Sequence, residues 1–264
     1  MPPARTRKYR WRGFAAFFAF AAFLAGAWWF ATSPVFRLKE FRVLGTDRLQ
    51  TAAISGAVER LYAGRILGIE RRNVFLAPFW QTPSSTAQTL KANYPDIAAA
   101  SVETLFPHTI TVIVRKRTQE VLWCRAERAA PPTPSDGATS TAPLLIPAAG
   151  TQDVTGCAWA DREGVAFRPA LASEGALITT VKDYRSPELR LGSSVGDPQL
   201  IAEILTVSAA SQREFGFPVN AFAVLAEMPD DVVAYGPTGF RIIVPRGDLL
   251  KRQLVALGRF FRQE

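Results

Sequence analysis

The stretch LFPHTITVIVRKR, residues 105–117, decides the fold of the first domain. It contains the only histidine of the chain. Pro107 stands where it presets φ for a turn, between two runs typical of strands. The pattern predicts a β-hairpin with His108 at its exposed tip. The second strand alternates, so one of its faces is expected to pack under helices. That face consists of Ile110, Val112 and Val114.

Three consecutive basic residues, Arg115 to Arg117, close this stretch. They lie at the end of the second strand, where charge protects a sheet edge from pairing with another chain. We therefore interpret them as a solvated strand end. The alternative interpretation is a docking surface for another protein.

The residues upstream of the hairpin complete a domain. The run VFRLKEFRVLG, residues 35–45, predicts a strand that ends at Gly45. A helix is predicted over residues 50–64, where apolar residues recur at helical spacing and Gly64 provides a stop. A second, short helix is predicted over 82–95 and ends at Pro95. The order is β-α-α-β-β, over residues 35–118.

Residues 13–31 contain no charged side chain, and five basic residues and no acidic residue precede them. At about 1.5 Å per residue a helix of this length would span roughly 28 Å, close to the bilayer interior. We therefore expect a basic cytoplasmic tail at 1–12 and a transmembrane helix at 13–31. The chain would then be a single-pass protein of the cytoplasmic (inner) membrane with its bulk outside. The rival interpretation is a signal peptide cleaved near Ala25–Ala27.

Residues 119–264 predict a strand-rich second domain with two helices, which makes the fold class α+β. Of the 31 residues from 126 to 156, 22 are Ala, Pro, Gly, Ser or Thr, which predicts a disordered surface loop. Strands are expected on both sides of it. A helix follows with Asp197 as its cap, then two or three strands and a closing amphipathic helix.

Cys124 and Cys157 flank the predicted loop, and each lies beside a strand-like run. Both would lie on the oxidising side of the membrane if the orientation above holds, so we expect a disulfide. Two buried free thiols are the alternative.

The residue pattern argues against most enzyme classes. The net charge is +8, and much of the excess lies in the short N-terminal tail, where residues 1–36 carry five basic and no acidic residues. This distribution argues against a nucleic-acid partner, which would need the charge on a folded face. One histidine and two distant cysteines do not form a metal site, and no cofactor-binding or phosphate-binding loop occurs. GSSVG at 192–196 matches a nucleophile motif, but the next helix begins too late for Ser194 and His108 lies upstream. We expect no catalytic residue, cofactor, metal or small-molecule substrate; a hydrolase that uses Ser194 is the outlying alternative.

Several segments, in order and spacing, resemble the bacterial cell division family FtsQ/DivIB. They are FRLKEFRVLGTDRLQTAAI, YPDIAAASVETLFPHTITVIVRKR, CAWADREGVAF, LITTVKDYRSPELRLGSSVGD and GFRIIVPRGDLLKRQLVAL. The resemblance implies a POTRA domain at 35–118 and a β domain at 119–264. It also implies a non-catalytic bitopic scaffold that links septal division proteins, with the membrane and proteins of the FtsB/FtsL type as partners. Members of that family continue with a further strand after the last helix, whereas this sequence ends at Glu264.

By that resemblance, the last strands and the last helix would receive a segment of an FtsB-type partner. A sheet without its closing strand also presents unpaired N–H and C=O groups to an incoming strand. The alternative is that the apolar side chains of the last strand and the last helix simply form the core. Phe260 is the most informative of them, because it lies off the main apolar stripe of the helix. The alternative function is a POTRA-type chaperone or assembly component of a secretion or outer-membrane system. The candidate partner-binding residues are Phe240, Ile242, Val244, Leu257, Phe260 and Phe261.

Overall fold

The computed structural model describes residues 6–66, 69–74, 77–106, 108–127, 154–173, 177–185, 188–237 and 239–263. Within these residues the protein is α+β, with six α-helices, a three-stranded sheet, a seven-stranded sheet and a pair of two-residue strands. The chain divides into two compact units, residues 1–93 with 97–116 and residues 94–96 with 117–264. Most of the loop predicted at 126–156 lies outside the described residues.

The first unit contains the hairpin and the elements that cover it. Its strands form a sheet in the order β1-β5-β4, in which β5 runs parallel to β1 and antiparallel to β4. The elements are α1 (Thr6–Thr32), β1 (Glu40–Leu44), α2 (Arg48–Leu61), β2 (Arg65–Ile66), β3 (Ile69–Glu70), α3 (Ala77–Trp80), α4 (Pro83–Asn93), β4 (Ile97–Leu105) and β5 (Thr109–Lys116).

The core of this unit is built on the predicted face of β5, whose Ile110, Val112 and Val114 are buried. α2 contributes Ile54 and Val58 to the buried set. The turn after β1 needs a glycine, because Gly45 has φ 91° and a Cβ there would lie 2.0 Å from the carbonyl oxygen of Val114. The predicted strand end at Gly45 therefore has a steric cause.

Two parts of this unit differ from the predictions. The strand expected from residue 35 begins only at Glu40, because Pro34–Phe36 form a short 3-10 turn capped by Ser33. The hairpin of β2 and β3 and the one-turn helix α3 were not predicted. Elements of two to four residues are too short to produce a hydrophobic period.

The apolar segment near the N-terminus is helical, since α1 covers Thr6–Thr32. However, none of the helices among the described residues combines the length and the apolar character needed to cross a bilayer. The predicted transmembrane helix at 13–31 is therefore wrong, and so is the single-pass placement in the cytoplasmic membrane that was derived from it. The apolar composition of the segment correctly predicted a helix, but the membrane span inferred from it was wrong.

His108 is half-buried rather than exposed at a hairpin tip. Its carbonyl oxygen accepts hydrogen bonds from the backbone N–H groups of Lys39 and Glu40, at 2.9 and 3.3 Å. The neighbouring Pro107 lies outside the described residues. The described role of His108 is thus to tie the start of β5 to the start of β1 through its main chain.

The basic strand end is not uniformly solvated, which corrects the prediction for Arg117. This side chain is only 8% exposed and pairs with the equally buried carboxylate of Asp161. It also donates from Nε to the carbonyl oxygen of Pro95 at 3.0 Å. Lys116, in contrast, pairs with the exposed Asp47. Arg117 belongs to the second unit, where it satisfies a buried carboxylate.

The second unit is a seven-stranded sheet in the order β12-β11-β10-β9-β6-β7-β8. Strands β6, β9 and β10 are parallel to one another, and the remaining pairs are antiparallel. Its elements are β6 (Val121–Ala126), β7 (Val154–Ala160), β8 (Ala166–Ala170), β9 (Thr180–Asp183), α5 (Pro198–Glu214), β10 (Ala221–Leu225), β11 (Met228–Tyr235), β12 (Arg241–Pro245) and α6 (Leu249–Gln263).

Helices α5 and α6 pack on one face of this sheet and enclose its main core. The two helices approach closely at Gly258, where a Cβ would lie 2.9 to 3.1 Å from atoms of Glu214. The buried core side chains of the two helices are Leu200, Ile201, Ile204, Val207, Leu250 and Leu254.

Cys124 and Cys157 stand directly opposite each other on β6 and β7 and are joined by a disulfide. This is the pairing that the sequence led us to expect. The bond connects two strands that are already neighbours in the sheet.

Candidate partner-binding edge

Strand β12 is the outermost strand of the seven-stranded sheet and pairs only with β11 among the described residues. The main-chain directions follow from two hydrogen bonds at its ends. Gly236 N–H donates to the carbonyl oxygen of Phe240, and Arg246 N–H donates to the carbonyl oxygen of Asp230, both at 2.9 Å. In β12, the main-chain N–H and C=O groups of even-numbered residues therefore point toward β11. Those of odd-numbered residues point away from the sheet.

The outward-facing groups are the N–H and C=O of Arg241 and Ile243 and the C=O of Pro245. Pro245 has no N–H to donate, as is common for proline on an edge strand. The free edge therefore offers two donors and three acceptors to an incoming strand.

The side chains of β12 are divided between two faces of the sheet. Ile242 and Val244, predicted as partner-binding residues, are 7% and 3% exposed and belong to the main core. That prediction is corrected for these two side chains, because the alternation that identified the strand selects its buried face. On the other face Ile243 is 45% exposed, and the sequence prediction missed it.

Phe240, just before β12, is connected to α6 through ring contacts. Its ring centroid lies 5.7 Å from that of Phe261, which lies 5.4 Å from that of Phe260. Phe240 and Phe261 are partly buried against the core, whereas Phe260 is 56% exposed. A Cβ at Gly236 would lie 2.2 Å from the Phe240 ring, so only glycine leaves room for the ring there. The five-phenylalanine cluster comprises Phe215, Phe217, Phe240, Phe260 and Phe261.

Leu257, the remaining predicted residue, is half-buried and packs against the core. Of the six predicted residues, only Phe260 thus presents most of its side chain to solvent. A large exposed ring at the end of a packed aromatic cluster is the kind of anchor that partner surfaces use.

The edge strand and the closing helix are basic, although Asp230 on β11 and Asp248 in the turn before α6 are exposed acidic neighbours. Every charged side chain that is described on β12 and α6 is basic and exposed: Arg241, Lys251, Arg252 and Arg259. Such a surface favours an acidic partner and repels a basic one.

The turn between β12 and α6 is held in place by Arg246. One guanidinium nitrogen, Nη2, donates to both carboxylate oxygens of Asp197, at 2.8 and 2.7 Å. Glu203 accepts from Nε of Arg246 at 3.2 Å and from the N–H of Gly247 at 2.8 Å. These bonds connect the edge strand to α5 and restrict its position.

Asp197 also caps α5 by accepting the N–H of Leu200 at 2.7 Å. Partial burial raises the pKa of Asp197, but the hydrogen bonds from Leu200 and Arg246 outweigh it, so the pKa is lowered overall. The carboxylate is therefore stabilised in its charged form.

The nucleophile motif does not form a catalytic site among the described residues. Ser194 donates its hydroxyl hydrogen to the carbonyl oxygen of Gly196 at 2.9 Å. It lines a cleft together with Trp123, Arg125, Asp183 and Arg185, and no histidine lines that cleft. The sole histidine belongs to the first unit. Among the residues that line this cleft, none is the histidine that usually serves as the base of a serine nucleophile.

Neither a family model nor a curated protein matches this chain. The resemblance to the FtsQ/DivIB family therefore depends on the sequence segments quoted above.

Proposed function

We propose that this protein is a non-catalytic docking scaffold of the bacterial division type. Its second unit would bind an extended, acidic segment of an FtsB-type partner along the outer edge of β12. The observation that carries the proposal is the combination of a free strand edge, the exposed Phe260 ring and the exposed basic side chains of β12 and α6. Main-chain hydrogen bonds would supply affinity, and the aromatic and basic groups would supply selectivity.

The test introduces a negative charge in place of the exposed ring. Phe260→Glu should weaken capture of a purified FtsB-type protein more than tenfold, about 1.4 kcal/mol or more, because it removes the anchor and introduces a charge that repels an acidic strand. The melting temperature should stay nearly unchanged, since the side chain is mostly exposed. Binding is measured by calorimetry and melting by circular dichroism.

Leu249→Glu provides the matched control. Leu249 is 55% exposed on the same helix but lies outside the aromatic cluster. The control variant should bind like the parent protein. Equal losses of binding and folding in Phe260→Glu would instead assign Phe260 to the core, and unchanged binding would place the dock elsewhere.

A second candidate function is a POTRA-type chaperone or assembly component, and the first unit contains an observation that favours it. β4 is an edge strand of nine residues, with a largely exposed C-terminal half. Such an edge can accept a strand from a client chain. Affinity purification from cells separates the two functions, because a scaffold recovers division proteins and a chaperone recovers unfolded client chains.

A further inference from the structure

A cleft of about 330 Å³ lies within the second unit, at the carboxyl ends of the parallel strands β6 and β9. Arg125 belongs to the end of β6, and Asp183 is the last residue of β9. Ligands of open sheets with parallel strands bind at this end of the strands. The volume is near the lower limit of ligand sites, suited to roughly one or two peptide residues.

The floor of the cleft is a buried carboxylate whose hydrogen bonds are satisfied. Asp183 accepts from Nε1 of Trp123 at 3.2 Å and from the backbone N–H of Arg185 at 2.9 Å. It also accepts from Nε and Nη2 of Arg185, both at 3.0 Å. All of these donors belong to the protein itself, and three of the four bonds come from Arg185. Asp183 therefore fixes the position of the Arg185 side chain.

Arg185 is consequently held in one orientation. Its Nη2 also donates to the carbonyl oxygen of Val195 at 3.0 Å, and its guanidinium lies 5.8 Å from the Trp123 ring. No hydrogen bond within the described part of the chain engages its Nη1. A guanidinium that is already oriented loses little entropy when it binds a planar anion.

A second guanidinium, that of Arg125, also lines the cleft. Arg125 pairs with Glu127 at 2.8 Å, but both side chains are substantially exposed, so this pair is weak. Glu188 also lines the mouth and is bound by Arg190 at 2.6 and 2.9 Å. That hydrogen bond, with a smaller contribution from the charge of Arg125, lowers the pKa of Glu188.

The remaining lining residues determine the shape of a ligand. Leu189 and Val195 supply apolar surface, and the hydroxyl of Ser194 donates to Gly196 and so remains an acceptor. Two guanidinium groups and two carboxylates line the cleft, and Asp183 is already paired with Arg185. This balance fits a monoanion better than a dianion such as phosphate, because Glu188 repels added negative charge.

We infer that this cleft binds a carboxylate carried on an apolar group, as found at an acidic side chain or a C-terminus beside an apolar residue of a peptide. Arg185 and Arg125 would hold the carboxylate, and Leu189 and Val195 would contact the apolar group. Paired arginines are suited to carboxylates because their N–H groups match the two oxygens. The site is separate from the β12 edge and does not depend on the proposed function.

Three short peptides test the inference on the full chain. They are acetyl-Leu-Phe with a free carboxyl group, the same peptide as its C-terminal amide, and acetyl-Glu-Phe-amide. Binding is followed by nuclear magnetic resonance at the indole N–H of Trp123. The first or the third peptide, or both, should shift this signal saturably, and the one that does so identifies the source of the carboxylate. The uncharged amide should not.

Two variants with opposite expected effects exclude a merely structural role. Arg125→Gln should weaken binding of the peptide more than about tenfold, and Glu188→Gln should strengthen it about threefold by removing repulsion. Arg168→Gln, at an exposed arginine on β8, is the control and should change nothing. Equal binding of the amide, no saturation by about 10 mM, or equal behaviour of Arg125→Gln and Arg168→Gln would overturn the inference.

Discussion

Asp197 performs two tasks with one carboxylate. It caps α5 through the N–H of Leu200, and it holds Arg246 at the turn between β12 and α6. The same side chain thus ends one element and positions another. The sequence predicted only the cap, because the partner arginine is 49 residues away.

Removal of this carboxylate should be measurable. Asp197→Ala is expected to destabilise the protein by about 1–2 kcal/mol at neutral pH, the usual effect of losing a cap. The pKa of Asp197 is lowered by folding, so its stabilisation is present above the pKa of the unfolded chain, about 3.9. It is lost as the pH falls through the lower, folded-state value.

Urea unfolding of both proteins from neutral pH down to acid measures this effect. The difference in the free energy of unfolding should shrink below about pH 4, where the parent protein also loses the charge. Asp230→Ala, at an exposed aspartate, serves as the control and should show a smaller loss. A difference that stays constant with pH would mean that the carboxylate charge is not the cause.

At the scale of elements, β12 contributes side chains to the core and also forms the outer edge of the sheet. Ile242 and Val244 fix one face of the strand in the core, and the main chain of Arg241 and Ile243 faces outward. The strand cannot shift by one residue to expose its apolar side chains, because the whole buried face would then move to solvent. A partner strand at this edge would therefore pair with the main chain of β12.

Ile243→Pro tests this directly. The substitution removes an N–H that faces outward and leaves the hydrogen bonds to β11 in place. We expect binding of an FtsB-type partner to fall about tenfold or more, while the circular dichroism spectrum of the sheet is retained. Ile243→Val keeps the N–H and is the matched control. If both variants bind equally well, the edge is not used.

At the scale of the whole molecule, the chain forms two compact units, and the second unit contains the disulfide. The bond joins residues 33 positions apart, with most of the intervening chain outside the described residues. It restricts the unfolded chain more than the folded sheet, where β6 and β7 are already paired.

Reduction of the disulfide should lower the free energy of unfolding by about 3–4 kcal/mol, from the entropy of closing a loop of this length. The measurement is denaturant unfolding with and without a thiol reductant. A double variant, Cys124→Ala with Cys157→Ala, is the control and should be insensitive to reductant. A change in the parent protein below about 1 kcal/mol would show that the bond contributes little.

The sequence by itself determined the local elements. Alternation identified β5 and β12, and an apolar run identified β4. Apolar spacing identified α2 and α6, and Asp197 marked the start of α5. These signals depend on residues one to four positions apart, so they can be read without the fold. The error at residues 13–31 has the same origin. Apolar composition is a local signal that correctly predicted a helix there, but the further inference of a membrane span was wrong.

Only the tertiary structure decided which groups are buried and which remain available. It buried Arg117 against Asp161, placed Ile242 and Val244 in the core, and left β12 as the edge. It also joined Trp123 to Asp183, 60 residues apart, at the floor of the cleft. The physical reason is that burial and pairing arise from contacts between distant segments, and the order of strands in a sheet is not contained in the period of any one of them.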